Sequence, residues 1–449
     1  MFQSTKMFQT FKNAWKIEEL RKKILITLFI IAIFCLGRAI PVPFVDAATI
    51  SEAMKSENAT FEILNLMTGG GFSQATLFAL GVTPYINSSI IIQLLQVVIP
   101  ALERWAREGE EGRKKTNKLT KIVSLVLAIG LSVVYFILLK NNSGLYYTEG
   151  FDFWFSAVVI VASYTGGSLL VMWLADQIDA KGIGSGMSIM IFSGIISGFF
   201  QTIFQIGTLF QQGLGTYRTE ANTPVQDAKP WLLFAVPIIM LVFIGLFVLI
   251  VTTHSAERRI PVQYAKRVIG RKMYGGQSSN IPIKVNLTGV LPVIFASSFM
   301  ALPSTIKDFA NISDDGFWGK LLGFFAPNGW GYIIVFALLI IGFNFFYVTV
   351  QYNPIQMAND LRKNSGMIPG IRPGQPTSAF IQKVISKITF IGGLFLVVIA
   401  TLPSIIAIVS GINIALGGTS LLIVVGVALE ISNTLESYML MRHHKGFLE

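Results

Sequence analysis

Ten apolar runs, each close to the length that crosses a bilayer, constrain this chain more than any other feature. They lie at about 24–40, 75–99, 122–139, 153–175, 187–207, 231–251, 288–306, 330–350, 388–409 and 417–439. A helix needs roughly 20 residues to cross about 30 Å of hydrocarbon. Only 13% of residues are charged and mean hydropathy is +0.62, and a soluble domain carries about twice that charge. The expected fold class is an all-α polytopic membrane protein with about ten transmembrane helices. The segment 1–23 is basic and amphipathic, and the run after it ends at Pro41-Val42-Pro43 rather than at a small-residue cleavage site. It is expected to be a retained cytosolic N-terminal segment rather than a signal peptide.

Basic residues set the orientation. With a cytosolic N-terminus, segments 1–23, 100–121, 176–186, 252–287, 351–387 and 440–449 hold 28 Lys and Arg against 11 Asp and Glu, while the opposite loops hold 6 against 11. Cytosolic loops carry such an excess, and ten spans return the C-terminal tail 440–449 to the cytosol. Loops 252–287 and 351–387 far exceed the few residues that join neighbouring helices, and long ordered loops tend to carry function. Their Arg258-Arg259, Lys266-Arg267, Arg271-Lys272 and Arg362-Lys363 pairs read as a platform for an acidic or nucleic-acid-containing partner.

Residues Phe61 to Ile99 do not read as ordinary lipid-facing helix. A short run, Phe61-Glu62-Ile63-Leu64-Asn65-Leu66-Met67, meets Gly69-Gly70-Gly71, and the next long run is broken by Pro84 and Asn87-Ser88-Ser89. The first run is too short to span. Irregular backbone at membrane depth survives only where protein or a water-filled cavity satisfies it, so an internal cavity is expected.

Catalytic chemistry is hard to find. His254, His443 and His444 lie outside the expected spans, and Cys35 is alone, which leaves no histidine relay within the membrane and no internal disulfide. Gly182-Ile183-Gly184-Ser185-Gly186 lacks a preceding strand and a Gly-Lys-Ser/Thr ending, so a turn feeding the fifth span is expected rather than a phosphate loop. Neither an enzyme nor a cofactor site is expected. An ion-coupled secondary transporter or flippase stays open as an alternative, but such proteins place ionisable groups near the midplane. Glu430 is the main candidate here.

Over essentially its whole length the chain resembles the bacterial SecY family, the central subunits of the Sec protein-export translocon. The resemblance rests on ordered blocks: Ile40-Pro41-Val42-Pro43, Phe61 to Gly71, Phe78 to Ile86, Ser89 to Leu95, Gly182 to Gly186, Gln263 to Arg267, Phe295 to Ser298, Pro369 to Gly374 and Gly417 to Val425. It implies two inverted five-helix halves, 24–207 and 231–439, joined by an external linker 208–230. It implies a plug at about 61–72, carried by Phe61, Ile63, Leu64, Leu66 and Met67. It also implies a ring of six apolar side chains at the waist: Ile86, Ile90, Met187, Ile191, Ile294 and Ile423.

The function implied is a protein-conducting channel that passes unfolded secretory polypeptides and releases transmembrane segments sideways into lipid. A lateral gate is then expected between spans 2–3 and 7–8, with Asn87 and Ser89 hydrogen-bonding toward Ser297 and Ser298. Implied partners are small SecE-type and SecG-type subunits, the SecA motor ATPase, the ribosome, signal sequences and lipids. Arg258, Arg259, Lys266, Arg271 and Arg372 are the expected partner-binding residues. Relatives commonly carry Arg where Cys35 stands, and Arg38 lies nearly one turn further on.

Overall fold

The computed structural model describes residues 15–46, 74–141, 144–147, 150–214, 230–264, 267–269, 272–274, 278–309, 316–325, 329–410 and 417–445. The first half contains α1 (Glu18–Gly37), α2 (Thr83–Val98), the short α3 (Pro100–Arg107), α4 (Glu110–Asn141), α5 (Gly150–Lys181) and α6 (Gly186–Gly213). The second contains α7 (Leu232–Ser255), strands β1 (Glu257–Tyr264), β2 (Arg267–Ile269), β3 (Lys272–Tyr274) and β4 (Ser278–Lys284), then α8 (Leu291–Phe309) and α9 (Phe317–Gly323). It continues through α10 (Trp330–Gln351), α11 (Pro354–Lys363), β5 (Gly366–Met367), α12 (Gln375–Ser410) and α13 (Gly418–Lys445). Each of the ten expected spans coincides with a helix. Among the described residues seven are long and apolar enough to cross a membrane by length and composition; α1, α2 and α8 fall outside that set.

The second span needs correcting. Helix was expected from about 75, but residues 74–82 run as turns and α2 starts at Thr83 with Pro84 in its first turn. Proline suits that position because its missing N–H would have no intrahelical acceptor there. Positive φ at Ala75 and Gly81 bends the approach. Protein covers this irregular backbone: Val42 N–H donates to Ala75 O, Leu77 N–H donates to Ile40 O, and Gly167 lets the Leu77 carbonyl approach α5. Ala75, Phe78 and Ala79 are buried, as non-helical backbone at membrane depth requires.

Within the first half α2 packs on α4, α4 on α5 and α5 on α6; within the second α8 packs on α10, α10 on α12 and α12 on α13. The halves meet extensively where α6 touches α7 and α13. On the other side, among the described residues, α2 makes no extensive contact with α8 or α10. The bundle is therefore joined along one edge and has a seam along the other.

The two long basic loops are not independent. β1 pairs antiparallel with β4 along Glu257–Gln263, and its last residues pair with β5 of the other loop, Gln263 with Met367 and Tyr264 with Gly366. Ile260 and Val262 alternate inward from β1 while Arg258 and Arg259 stay exposed, the period-two pattern of a half-buried strand. Beneath the sheet Ile260, Val262 and Ile283 pack with Val348 of α10 and Ile381 and Ile385 of α12. The loop sheet is thus seated directly on the second half.

Candidate functional site

Ile86 from α2, Ile191 from α6, Ile294 from α8 and Ile423 from α13 are buried in one apolar cluster, with Ile90 and Met187 packed against it. The six positions come from four helices and from both halves. Ile86 and Ile90 are four residues apart, as are Met187 and Ile191, so each pair lies along one helix face. A cavity of about 100 Å³ adjoins this cluster, lined by Ile191, Ile195 and Ile423 together with Ser297, Tyr332 and Thr419.

Close backbone approaches hold these helices in place. At the start of α6, Asp179 Oδ1 accepts from Gly186 N–H at 2.7 Å, and Thr27 Oγ1 accepts from Ile183 N–H at 3.2 Å. A methyl on Gly186 would lie 2.0 Å from the Ala175 carbonyl oxygen, and Gly184 adopts φ of +78°. The glycines of this turn serve helix packing, directly before Met187 and Ile191. Gly418 does the same for α13, where a methyl would meet Ile399 O at 2.0 Å. On α2, Ser88 Oγ donates to Thr120 O of α4 at 2.5 Å.

Polar contacts at the seam differ from the expectation. Ser89 Oγ accepts from Gln93 Nε2 at 3.1 Å, and Ser297 Oγ donates to Ile294 O at 2.9 Å, each within its own helix. A bond that does cross runs from the Tyr347 hydroxyl of α10 to Gln93 Oε1 of α2, at 2.5 Å. The Tyr347 ring packs edge-on against Phe295 of α8, with centroids 5.4 Å apart. Ser89 thus bears on the seam through Gln93, which also lies one helical turn further along the same face. Next to this bond a groove of about 980 Å³ opens between α2 and α10, lined among others by Gln96, Val97, Thr349 and Gln382.

Arg258, Arg259 and Arg372 are exposed. Arg259 Nε contacts Glu257 Oε1 at 2.7 Å. Arg372 stands between Gly370 and Gly374, both with positive φ, and its carbonyl accepts from Thr377 Oγ1. Glycine is favoured at both flanks because a side chain is strained there. Lys266 and Arg271 lie outside the described residues, as do Phe61, Ile63, Leu64, Leu66 and Met67. Arg38 is half-buried against Phe34, with its guanidinium carbon 5.9 Å from the ring centroid. Cys35 Sγ lies 3.8 Å from Ser193 Oγ. Among the described residues no group of three His, Cys, Asp or Glu side chains is placed to hold a metal ion.

The SecY family model matches residues 76–432. Protein translocase subunit SecY of Thermotoga maritima is 37% identical, with 99% of this chain and 98% of that protein covered. The protein of the same name from Thermus thermophilus is 39% identical, with 98% of each covered. Among solved structures, a protein-conducting channel aligns over 93% of this chain and 92% of its own with a TM-score of 0.59 at 18% identity. A SecY channel solved in a study of its plug domain aligns over the same shares with a TM-score of 0.61 at 18% identity. At that identity the likeness concerns the fold.

Proposed function

This chain belongs to the SecY family of protein translocase subunits, and we propose that it conducts unfolded secretory polypeptides through the centre of its bundle and releases transmembrane segments through the α2–α8 seam. The convergence of six apolar side chains from α2, α6, α8 and α13 carries this reading. An apolar constriction resists wetting and yields around a passing chain, and it offers no strong polar site that would retain one sequence. Met187 adds a flexible thioether to the ring. The relatives matched are translocase subunits, and a coupled transporter has no support among them.

Lateral release needs a seam that holds at rest and parts for an apolar helix. Gln93 and Tyr347 supply one such contact, and a hydrogen bond of this kind inside a membrane contributes on the order of 0.6–2 kcal/mol. A signal helix entering from the groove beside Gln96 and Val97 replaces it with apolar packing. Residues 61–72 act as the plug on the side opposite the basic loops.

The basic loops face the cytosol together with both termini, in the cytoplasmic membrane. Arg258, Arg259, Lys266, Arg271 and Arg372 engage SecA and the ribosome, whose RNA supplies phosphate charge. Channels bound to ribosomes are among the proteins of similar fold, namely canine Sec61 and yeast Ssh1. SecA supplies the energy, and small SecE-type and SecG-type subunits complete the assembly.

Arresting a translocating chain with one photoreactive residue at its midpoint tests the route. Crosslinks to Ile86, Ile191, Ile294 and Ile423 are expected. Crosslinks confined to the lipid-exposed faces of α7 and α10 would contradict it.

A further inference from the structure

Thr288, Asn344 and Thr389 meet inside the second half and are all buried. Thr288 Oγ1 donates to Asn344 Oδ1 at 2.7 Å, and Asn344 Nδ2 donates to the Thr389 carbonyl oxygen at 2.8 Å. One side-chain amide therefore uses both ends to join α10, α12 and the connector 285–290 that leads into α8. A buried amide satisfied at both ends fixes its neighbours, because breaking either bond leaves a polar group without a partner.

The same point on α12 carries Gly392-Gly393. A methyl on Gly393 would lie 2.9 Å from Asn344 Nδ2, and one on Gly392 would lie 2.5 Å from the Val285 carbonyl oxygen. The glycine pair forms a notch that admits both the amide and the connector backbone. At the connector's other end Val285 N–H donates to Ala256 O at 2.8 Å, where α7 gives way to β1 and Glu257 pairs with Lys284. Ile294 follows six residues after Thr288. Packing α10 on α12 would need only the bond to Thr389; it would need neither Oδ1 aimed at the connector nor the space at Gly392.

We infer that Asn344 is a positioning residue that locks the root of α8 to α10 and α12, so that the basic sheet, α8, α10 and α12 move as one body. The sheet already rests on α10 and α12 through Ile260, Val262 and Ile283. With α8 pinned to the same body, displacement of the sheet by a docked partner opens the bundle between α2 and α8 rather than between α8 and α10. This rests on the channel reading of the seam.

Two spin-label distances test it in the full reconstituted complex, in a Cys35→Ser background, with and without SecA and ATP. One pair, Ile91→Cys with Phe299→Cys, spans α2 to α8; the other, Phe299→Cys with Leu338→Cys, spans α8 to α10. All three sites have exposed side chains. With Thr288 intact the partner should change the first distance and leave the second sharp. Thr288→Val keeps the shape and removes the donor; it should broaden the second distance and slow export about tenfold, the equivalent of one buried hydrogen bond. SecA binding should stay unchanged, and Thr288→Ser should restore both readouts. An α8–α10 distance as sharp in Thr288→Val as in the unsubstituted protein overturns the inference, whatever the export rate. The α8–α10 distances alone decide the pin, whereas an α2–α8 distance that never responds in the unsubstituted complex counts against the channel reading.

Discussion

The Tyr347 hydroxyl and Gln93 Oε1, 254 positions apart in the chain, share a 2.5 Å hydrogen bond that ties α10 to α2 across the seam between the halves. Gln93 is itself held by its donation to Ser89. Tyr347→Phe removes the donor and little volume, so it should favour the open seam by about 1 kcal/mol, or roughly fivefold in the equilibrium. Export driven by a weakly apolar signal sequence should rise by that factor while a strongly apolar signal gains little. Equal rates for Tyr347→Phe and the unsubstituted protein with both signals would remove the bond from the gating scheme.

Ile191 and Ile423 lie in the central apolar cluster. Ile423→Asn should wet the constriction and raise the resting ion conductance of the channel in planar bilayers, whereas Ile423→Val should not. The contrast follows from dewetting of apolar constrictions. A resting conductance unchanged by the Asn substitution would place the barrier elsewhere.

Gly186 cannot take a methyl without moving backbone, because the Ala175 oxygen would be 2.0 Å away; around Gly198 nothing lies within 4 Å. Gly186→Ala should cost about 1–3 kcal/mol as overpacking, and it should shift Met187 and Ile191. Gly198→Ala, at an open helical position, should be neutral or slightly stabilising. Thermal unfolding of the two variants in detergent checks the difference.

Arg372 is exposed at the tip of a turn bounded by Gly370 and Gly374. If it engages the motor, Arg372→Gln should reduce SecA-driven export about tenfold or more, the scale of one charge-assisted contact, without lowering thermal stability. Retained export and retained SecA binding would mean that Arg372 only organises its own loop.

Much of this was legible in the residues. Apolar length located all ten helices, and the four-residue spacings of Ile86 with Ile90 and of Met187 with Ile191 put each pair on one face. The start of α2 was missed because hydropathy cannot separate buried turns from helix; Pro84 and Gly81 were the available signals. The sheet was missed because a hydropathy reading tuned to runs of about 20 apolar residues passes over an eight-residue strand, although Ile260 and Val262 alternate with exposed residues. The seam bond was missed because Gln93 and Tyr347 sit on different halves, and a hydrogen bond between distant residues leaves no local pattern. Ser88, inside the Asn87-Ser88-Ser89 break, turns toward Thr120 of α4 rather than toward the seam, a direction that the run of three polar residues does not reveal.

Reconstitution into lipid vesicles with a SecE-type subunit and SecA tests the central claim most directly. On addition of ATP a presecretory protein should become protease-protected inside the vesicles, and protection should vanish when detergent is added. Robust ion-coupled uptake of a small solute, with no ATP-dependent protection of the polypeptide, would contradict the assignment of this bundle as a protein-conducting channel.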